Sequence, residues 1–490
     1  MKNPHLNEFL YISDSYKYSH HKQYPEDLTK LYSYFEARGF SAPFFKEPDV
    51  VFFGLYYYLQ KIQGSLFTVE DVENAKNFHK KHFGGNDIFN YDGFMYIAKE
   101  LNGKLPIKIK AIPEGTPIKP SNVLLTIENT DSKVPWITNY VETLLTKIWY
   151  PTTVATYSRE IKKTFLHFLN KNADDDIIEN IINFMLHDFG MRGTSSDESA
   201  AIGGASHLIN FYGTDTVSAL KFVDYCYGNT FSVTKSVAGY SIPATEHSVM
   251  TINGREGEFE QFEKVLKSYP DNATVAIVSD SYDIYKLIDE VVCGSLKEYI
   301  LSRSGKLVIR PDSGNPSQVI QRILSLLEKG YKNEMLENSK GYKVLPKQLG
   351  IIWGDGINHR DIHDILFDMD NWGWSSSNIV FGMGGGLLQK VNRDSLKFAF
   401  KASYGEFENG RTVDIYKQPI TDSGKNSKRG KLGLYNINGE FKTLSSSDFQ
   451  NNYSNNIDAE NLLQTVFENG EIIIHEFFDT IREKAELKNI

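Results

Sequence analysis

Five short stretches carry polar groups of a kind that can do chemistry. They are "HDFGMRG" (187–193), "VSDSYD" (278–283), "IRPDSGNP" (309–316), "WGDG" (353–356) and "FGMGGG" (381–386). Each follows an apolar run, so each marks the end of a predicted strand. They place His187, Asp188, Arg192, Asp280, Arg310, Asp312 and Asp355 at strand ends, with Asp215 and His247 on intervening loops. One acid ahead of a helix is ordinarily an N-cap. Acids recurring at separate strand ends beside arginines describe a polar site instead. Carboxylates there stabilise developing positive charge, and cations hold an anionic leaving group. Gly384, Gly385 and Gly386 let backbone N–H groups converge on an anion, or else make a tight strand-to-helix turn. Leu387 occupies the third position of a GxGxxG pattern, and no GxxxxGK[ST] box occurs, so dinucleotide-fold and P-loop readings fail.

"GYSIPATEHSVM" (239–250) sets Glu246 beside His247 without completing a known catalytic box. By itself His247 reads as a core histidine, a ligand, a proton carrier or a nucleophile. "NHRDIHD" (358–364) spaces His359 and His363 as helical metal ligands would be, but Arg360 stands where a zincin needs Glu, so a solvated helix face is expected. The basic run Lys425, Lys428, Arg429, Lys431 reads as a solvated loop or a phosphate clamp. Asp215 has two readings as well: the N-cap of the following helix, or a ligand for an amide N–H.

The elements that must position these groups fall into two styles. Up to about residue 150, aromatic-rich and alternating strands ("KLYSYFEAR", "LPIKIKAIPEG", "NVLLTIENT") mix with helices such as "TVEDVENAKNFHKKHF", an α+β pattern. From 151 to 389 near-continuous apolar strands alternate with helices, which means a parallel sheet covered by helices. A spacing of roughly 30–45 residues per unit suits an irregular α/β barrel with loop insertions, and barrel chemistry sits at the carboxyl ends of the strands. "SSDESAAIGGASHLINF" (195–211) opens with a capping box, Ser195 to Glu198. Residues 390–490 return to shorter strands and a final helix, expected to pack with residues 1–150 as a second α+β domain.

The bulk numbers exclude several classes. The chain has 490 residues, 41% hydrophobic and 23% charged, with 28 Tyr and 31 Phe, an ordinary globular composition. A net charge of −9 supplies no global field for nucleic acid or an anionic membrane, so any phosphate site must be a local concentration of basic groups. Two cysteines, Cys226 and Cys293, rule out a disulfide framework and suit a reducing cytoplasm. No stretch approaches the roughly 20 apolar residues of a membrane span, and the N-terminus has no signal-peptide core.

The blocks "DSYKYSHHKQYP", "HDFGMRGTSS", "NFYGTDTV", "GYSIPATEHS", "VSDSYDIY", "IRPDSGNP", "GDGI" and "FGMGGGLLQK", in this order over nearly the whole chain, closely resemble the nicotinamide phosphoribosyltransferases, a type II phosphoribosyltransferase family. The resemblance implies a homodimer with shared active sites that joins nicotinamide to phosphoribosyl pyrophosphate, giving nicotinamide mononucleotide and pyrophosphate. It implies Mg2+ held through pyrophosphate rather than by a dedicated protein cage, and ATP as an activating cosubstrate that phosphorylates His247. Phe189 and the second copy's Tyr16 would sandwich the pyridine, and Asp215 would take the carboxamide, with Ser241 in the substrate-binding set. Arg192 and Arg310 would hold the nicotinamide and phosphate side. Asp280 and Asp312 would face the ribose and Mg2+-pyrophosphate. Gly354, Asp355, Gly384 and Gly385 would cradle the 5-phosphate, and Asp14, Arg38, Arg393 and Lys401 would contribute across the dimer interface. Met191, Trp353 and Ala399 stand where tyrosine, glutamine and serine are usual in vertebrate members, so tunnel shape and one phosphate contact are expected to differ. The alternatives are the related nicotinate phosphoribosyltransferases and a non-catalytic sugar-phosphate-binding barrel.

Overall fold

The computed structural model describes residues 9–41, 48–228, 237–354, 356–421, 426–453 and 460–487. The strands of its two main sheets are, in chain order, β1 (Leu28–Ala37), β2 (Ile107–Ala111), β3 (Val123–Asn129), β4 (Leu186–Asp188), β5 (Gly213–Thr214), β6 (Val275–Val278), β7 (Leu307–Arg310), β8 (Leu349–Trp353), β9 (Ile379–Met383), β10 (Phe398–Phe407), β11 (Thr412–Asp414), β12 (Gln464–Glu468) and β13 (Glu471–Ile472). The chain divides into two compact units, Met1–Thr156 with Asn392–Ala485, and Tyr157–Val391 with Glu486–Ile490.

The first unit is built on an antiparallel sheet of order β11-β10-β1-β3-β2-β12-β13. β10 pairs along β1, and β12 pairs with β2, so the C-terminal segment extends the N-terminal sheet on both sides. β2 alternates buried and half-buried residues, the period of a sheet with one solvated face. β3 departs from that expectation: six of its seven residues are buried, and the adjacent Val123, Leu124 and Leu125 all belong to the unit's hydrophobic core. Phe35 and Phe398 stack across the central pair with centroids 5.1 Å apart. The Val69–His82 helix begins at a reciprocal capping box, Thr68 with Asp71.

The second unit holds an all-parallel sheet of order β5-β4-β9-β8-β7-β6. The two edges are joined by the segment that contains "GYSIPATEH". Thr214 N–H donates to the Tyr240 carbonyl (3.0 Å) on one edge, and Ala276 N–H donates to the Pro243 carbonyl (2.9 Å) on the other. Isolated parallel bridges pair Gly213 with Tyr240 and Ala244 with Ala276. An irregular chain thus replaces a strand and closes the barrel. Inward residues recur with period two: Ala276, Val308 and Ile352 form a small apolar cluster against Ile242 and Val380. The outer helices bury one stripe each, as in Pro316–Gly330 with Val319, Ile320, Ile323, Leu324 and Leu327. No described helix is long and apolar enough to cross a membrane.

Several local expectations change. The Asp197–His207 helix is capped by Ser196, whose hydroxyl accepts from Ser199 N–H, not by Ser195. After β6, a short helix Ile284–Leu287 widens into a π-helix, Ile288–Ser295. His359 is buried and hydrogen-bonds Thr164 Oγ1 at 2.7 Å, with burial pulling its pKa down to about 4, so only His363 lies on a solvated face. Asp215 does not cap its helix. The N-cap position is Thr216, without a side-chain cap bond.

Candidate active site

The barrel interior contains a cavity of about 310 Å3. At the carboxyl end of the strands its wall includes Phe189, Asp215, Ser241 and Arg310. Phe189 follows β4, and its N–H donates to the Met383 carbonyl of β9 (3.0 Å). Its ring occupies space that only glycines leave. A Cβ at Gly382 would lie 2.0 Å from Phe189 Cε2, and one at Gly354 would lie 3.1 Å from it. The Arg310 guanidinium stands 5.3 Å from the ring centroid, within cation–π range. Its Nε is buried without a hydrogen-bond partner, a donor left for something else. Asp215 accepts the Ser241 hydroxyl at 2.5 Å, so a serine of the closing segment and an acid after β5 meet at one edge of the cavity.

The helix caps explain why the other strand-end acids are available. The first helices after β6, β7 and β8 are capped by Asp283, Asn315 and Asn358. Asp280 and Asp312 therefore carry no capping duty. Asp280 accepts the Asp312 N–H (2.9 Å) and the Ser313 hydroxyl (2.5 Å) through Oδ2, while its Oδ1 lies 3.2 Å from His247 Nε2. Asp312 Oδ2 is 3.9 Å from His247 Nδ1, and its Oδ1 lies 3.4 Å from Arg310 Nη2. His247 thus sits between two carboxylates at the first turn of the short helix His247–Met250. Glu246 accepts the Ser248 hydroxyl.

Other predicted residues are distributed differently. Arg192 lies on an exposed 3-10 turn, Met191–Gly193, outside the cavity lining. Met191 is exposed and Trp353 is buried, and neither lines the cavity. Gly384 and Gly385 bring the loop after β9 against the 189–193 turn. A Cβ at Gly384 would be 3.2 Å from the Phe189 carbonyl oxygen, and one at Gly193 would be 3.0 Å from Gly385 N. Asp355 and Lys425 lie outside the described residues. Asp188, read among the strand-end acids, is buried. It accepts the Gly190 N–H (2.7 Å), and desolvation pushes its pKa up to about 6.

Asp14, Tyr16, Arg38, Arg393 and Lys401 come together in the first unit, around a pocket of about 840 Å3. Its wall carries six cationic side chains (Lys17, Arg38, Arg393, Lys397, Lys401, Lys417) against three acids (Asp14, Glu142, Asp394). Burial lowers the Lys401 pKa, and although Glu142 opposes the shift, Arg38, Lys417 and Arg393 lower it further. Arg38 donates from Nε to buried Glu36 (2.9 Å), while its Nη2 is buried without a partner. Ala399 lines the same pocket.

Sequence reasoning missed two features. Gly382 was visible in "FGMGGG" but reads there as part of a phosphate cradle; its close contact is with an aromatic ring from a different strand. Lys397 and Lys417, just outside β10 and β11, carry no local motif and reach the pocket through the pairing of β10 with β1, while Lys17, on the 3-10 segment Ser15–Lys22, is held there by Asn139 and Glu142.

A parallel barrel with polar strand ends, joined to an antiparallel α+β unit, defines the type II phosphoribosyltransferase class of fold. Solved structures of that shape include nicotinate-nucleotide pyrophosphorylase from Pyrococcus furiosus (TM-score 0.59, 16% identity, 99% of this chain and 96% of that one). Human nicotinic acid phosphoribosyltransferase is a second (TM-score 0.54, 13% identity, 96% and 92%). At those identities the likeness is one of fold. In sequence, the nicotinate phosphoribosyltransferase (NAPRTase) family pattern matches residues 184–471, and the N-terminal domain pattern of nicotinamide phosphoribosyltransferase matches residues 8–109. The nicotinamide phosphoribosyltransferase of Xanthomonas campestris pv. campestris is 42% identical over 98% of this chain and 99% of its own length. That of Acinetobacter baylyi is 32% identical over 96% and 95%. The chain belongs to the nicotinamide phosphoribosyltransferase family.

Proposed function

We propose that this chain transfers the phosphoribosyl group of 5-phosphoribosyl 1-pyrophosphate to nicotinamide, forming nicotinamide mononucleotide and pyrophosphate in a cytoplasmic NAD salvage route. The observation that carries this reading is the Phe189 ring in its glycine slot, in one cavity with Asp215. A flat neutral ring stacks on Phe189. Its carboxamide N–H donates to the Asp215 carboxylate, which accepts but cannot donate and which repels a second carboxylate. Nicotinate, the substrate of the related reading, loses that hydrogen bond and gains repulsion.

The pyridine nitrogen is neutral with a free lone pair, so attack on C1′ needs no general base. The C1′–O bond to pyrophosphate breaks as the C1′–N bond forms, and positive charge develops on the ribose. Asp280 and Asp312 stabilise that charge, and Arg310 receives the charge of the leaving group. Asp280 and Asp312 are the carboxylates that would hold a Mg2+ brought with the diphosphate, and such an ion would supply neutralisation of the leaving group's charge. The basic pocket of the first unit suits the phosphates. In a homodimer one copy's pocket, with its Tyr16, completes the other copy's cavity.

His247 is read as the ATP-coupled residue. With Nε2–H donated to Asp280, the Nδ1 lone pair attacks the γ-phosphorus of ATP and ADP departs. The Nε2 proton then passes to Asp280. Two assays test the whole. The protein is given phosphoribosyl pyrophosphate, Mg2+ and either pyridine, and the mononucleotide is identified by mass. Nicotinamide mononucleotide should dominate; nicotinate mononucleotide as the main product contradicts the reading. With ATP, acid-labile phosphate should appear on the wild-type protein and not on His247→Ala.

A further inference from the structure

A buried acid underlies the basic pocket of the first unit. β1 carries Tyr34 and Glu36 on one face, and Arg38 comes two residues later. Across the sheet, Tyr34 pairs with Lys401 and Glu36 with Ala399, and residues so paired share a face. Arg38, Ala399 and Lys401 line the pocket; Glu36, only 2% exposed, does not. An acid beneath a site for a polyanion opposes binding by Coulomb repulsion. Its contacts supply the reason for its presence.

One Glu36 oxygen accepts Arg38 Nε (2.9 Å), and the other accepts the Lys428 ammonium. Held by Nε, the guanidinium keeps Nη2 buried without a hydrogen-bond partner, a donor left for a ligand. Lys428 is tied a second time, its backbone N–H donating to the buried Tyr34 hydroxyl (2.9 Å). The preceding Ser427 is locked to Lys417, another residue of the pocket wall. Lys417 N–H donates to Ser427 Oγ (2.7 Å), and Ser427 N–H donates to the Lys417 carbonyl (2.9 Å). Lys431 is committed to Glu406 in the same way. Lys428 and Lys431 of the basic run therefore tie the loop down rather than reach for phosphate. We propose that Glu36 is a positioning residue of the phosphate site, fixing the Arg38 fork directly and seating Lys417 through Lys428 and Ser427. The assignment rests on the reading that this pocket takes the phosphates of phosphoribosyl pyrophosphate.

Calorimetric titration of phosphoribosyl pyrophosphate into the full chain tests it. Glu36→Gln removes a negative charge beside the site, which by Coulomb's law alone tightens binding. Positioning predicts the opposite sign: affinity weakened roughly tenfold, the worth of one charge-assisted hydrogen bond, with nicotinamide affinity unchanged. In an Arg38→Ala background the same substitution should cost much less, because its main route of action is gone. Arg38→Lys leaves the buried acid in place, so it does not depend on the Gln variant folding. It keeps the charge but offers one nitrogen for two tasks, and should lose about as much affinity as Arg38→Ala. Tighter or unchanged binding in Glu36→Gln, equal weakening of both substrates, full additivity with Arg38→Ala, or wild-type affinity in Arg38→Lys would each overturn the assignment. If Arg38→Ala itself binds phosphoribosyl pyrophosphate as the wild type does, the phosphate reading of the pocket fails and the assignment falls with it.

Discussion

The barrel cavity and the basic pocket of the first unit differ in almost every physical respect. The cavity is about 310 Å3, lined by strand and loop residues that mix apolar side chains such as Ile242, Val308 and Ile352 with polar ones such as His187, Asp215 and Arg310. The pocket is about 840 Å3 and ringed by charge, with twice as many cations as acids. Under the proposed function the barrel slot takes the neutral ring and its amide, and the cationic basin takes the polyanion, whose charge matters more than its shape. A chain with a net charge of −9 can therefore still offer phosphates a strongly basic surface, because the cations are concentrated rather than numerous.

Substitutions on the two sides should separate these roles. On the barrel side Asp280→Ala removes the partner of His247 and the acceptor for Asp312 N–H and Ser313 at once. We expect kcat/KM to fall roughly a thousandfold in steady-state assays, with the fold retained by circular dichroism.

The buried Asp188 on the barrel side gives a pH signature of its own. Its folded pKa of about 6 lies above the ordinary 3.8, so between those values the unfolded chain has released the proton and the folded one has kept it. Stability should therefore drop as pH rises through this window, by ~3 kcal/mol in all. In Asp188→Asn that fall should be missing when urea unfolding is compared at pH 4.5 and 7.

Gly382→Ala puts a methyl group into the Phe189 ring position. Nicotinamide turnover should drop about a hundredfold, as expected for a misplaced contact surface. Phosphoribosyl pyrophosphate binding, measured calorimetrically, should not change. The smallest effect belongs to the basic pocket. Ala399→Ser adds a hydroxyl there, and the KM for phosphoribosyl pyrophosphate should fall about two- to tenfold, the worth of one hydrogen bond. An unchanged KM would mean that no phosphate reaches position 399.

The two regions were not equally legible in the sequence. In the barrel, chemistry clusters at strand ends, and strand ends are marked by the switch from apolar runs to polar and glycine residues. Asp280, Arg310 and Asp312 were therefore visible as a group, although the capping roles of Asp283, Asn315 and Asn358 appear only in three dimensions. The basic pocket draws Asp14, Arg38 and Glu142 from one end of the sequence and Arg393 to Lys417 from the other. No local pattern joins them. Family resemblance supplied six of its residues, Asp14, Tyr16, Arg38, Arg393, Ala399 and Lys401, and the long-range pairing of β10 with β1 accounts for Lys397 and Lys417. Closure of the barrel by residues 240–244 was also invisible, because that segment has neither strand length nor strand periodicity.

The division of labour between the two regions is tested most directly by measuring each substrate's binding in one variant from each side. Calorimetric titration of Phe189→Ala should show nicotinamide affinity lowered at least about tenfold with phosphoribosyl pyrophosphate affinity unchanged, and Lys401→Ala should show the reverse. If either variant weakens both substrates equally, or if Lys401→Ala leaves phosphoribosyl pyrophosphate binding intact, the two regions do not divide ring and phosphates between them.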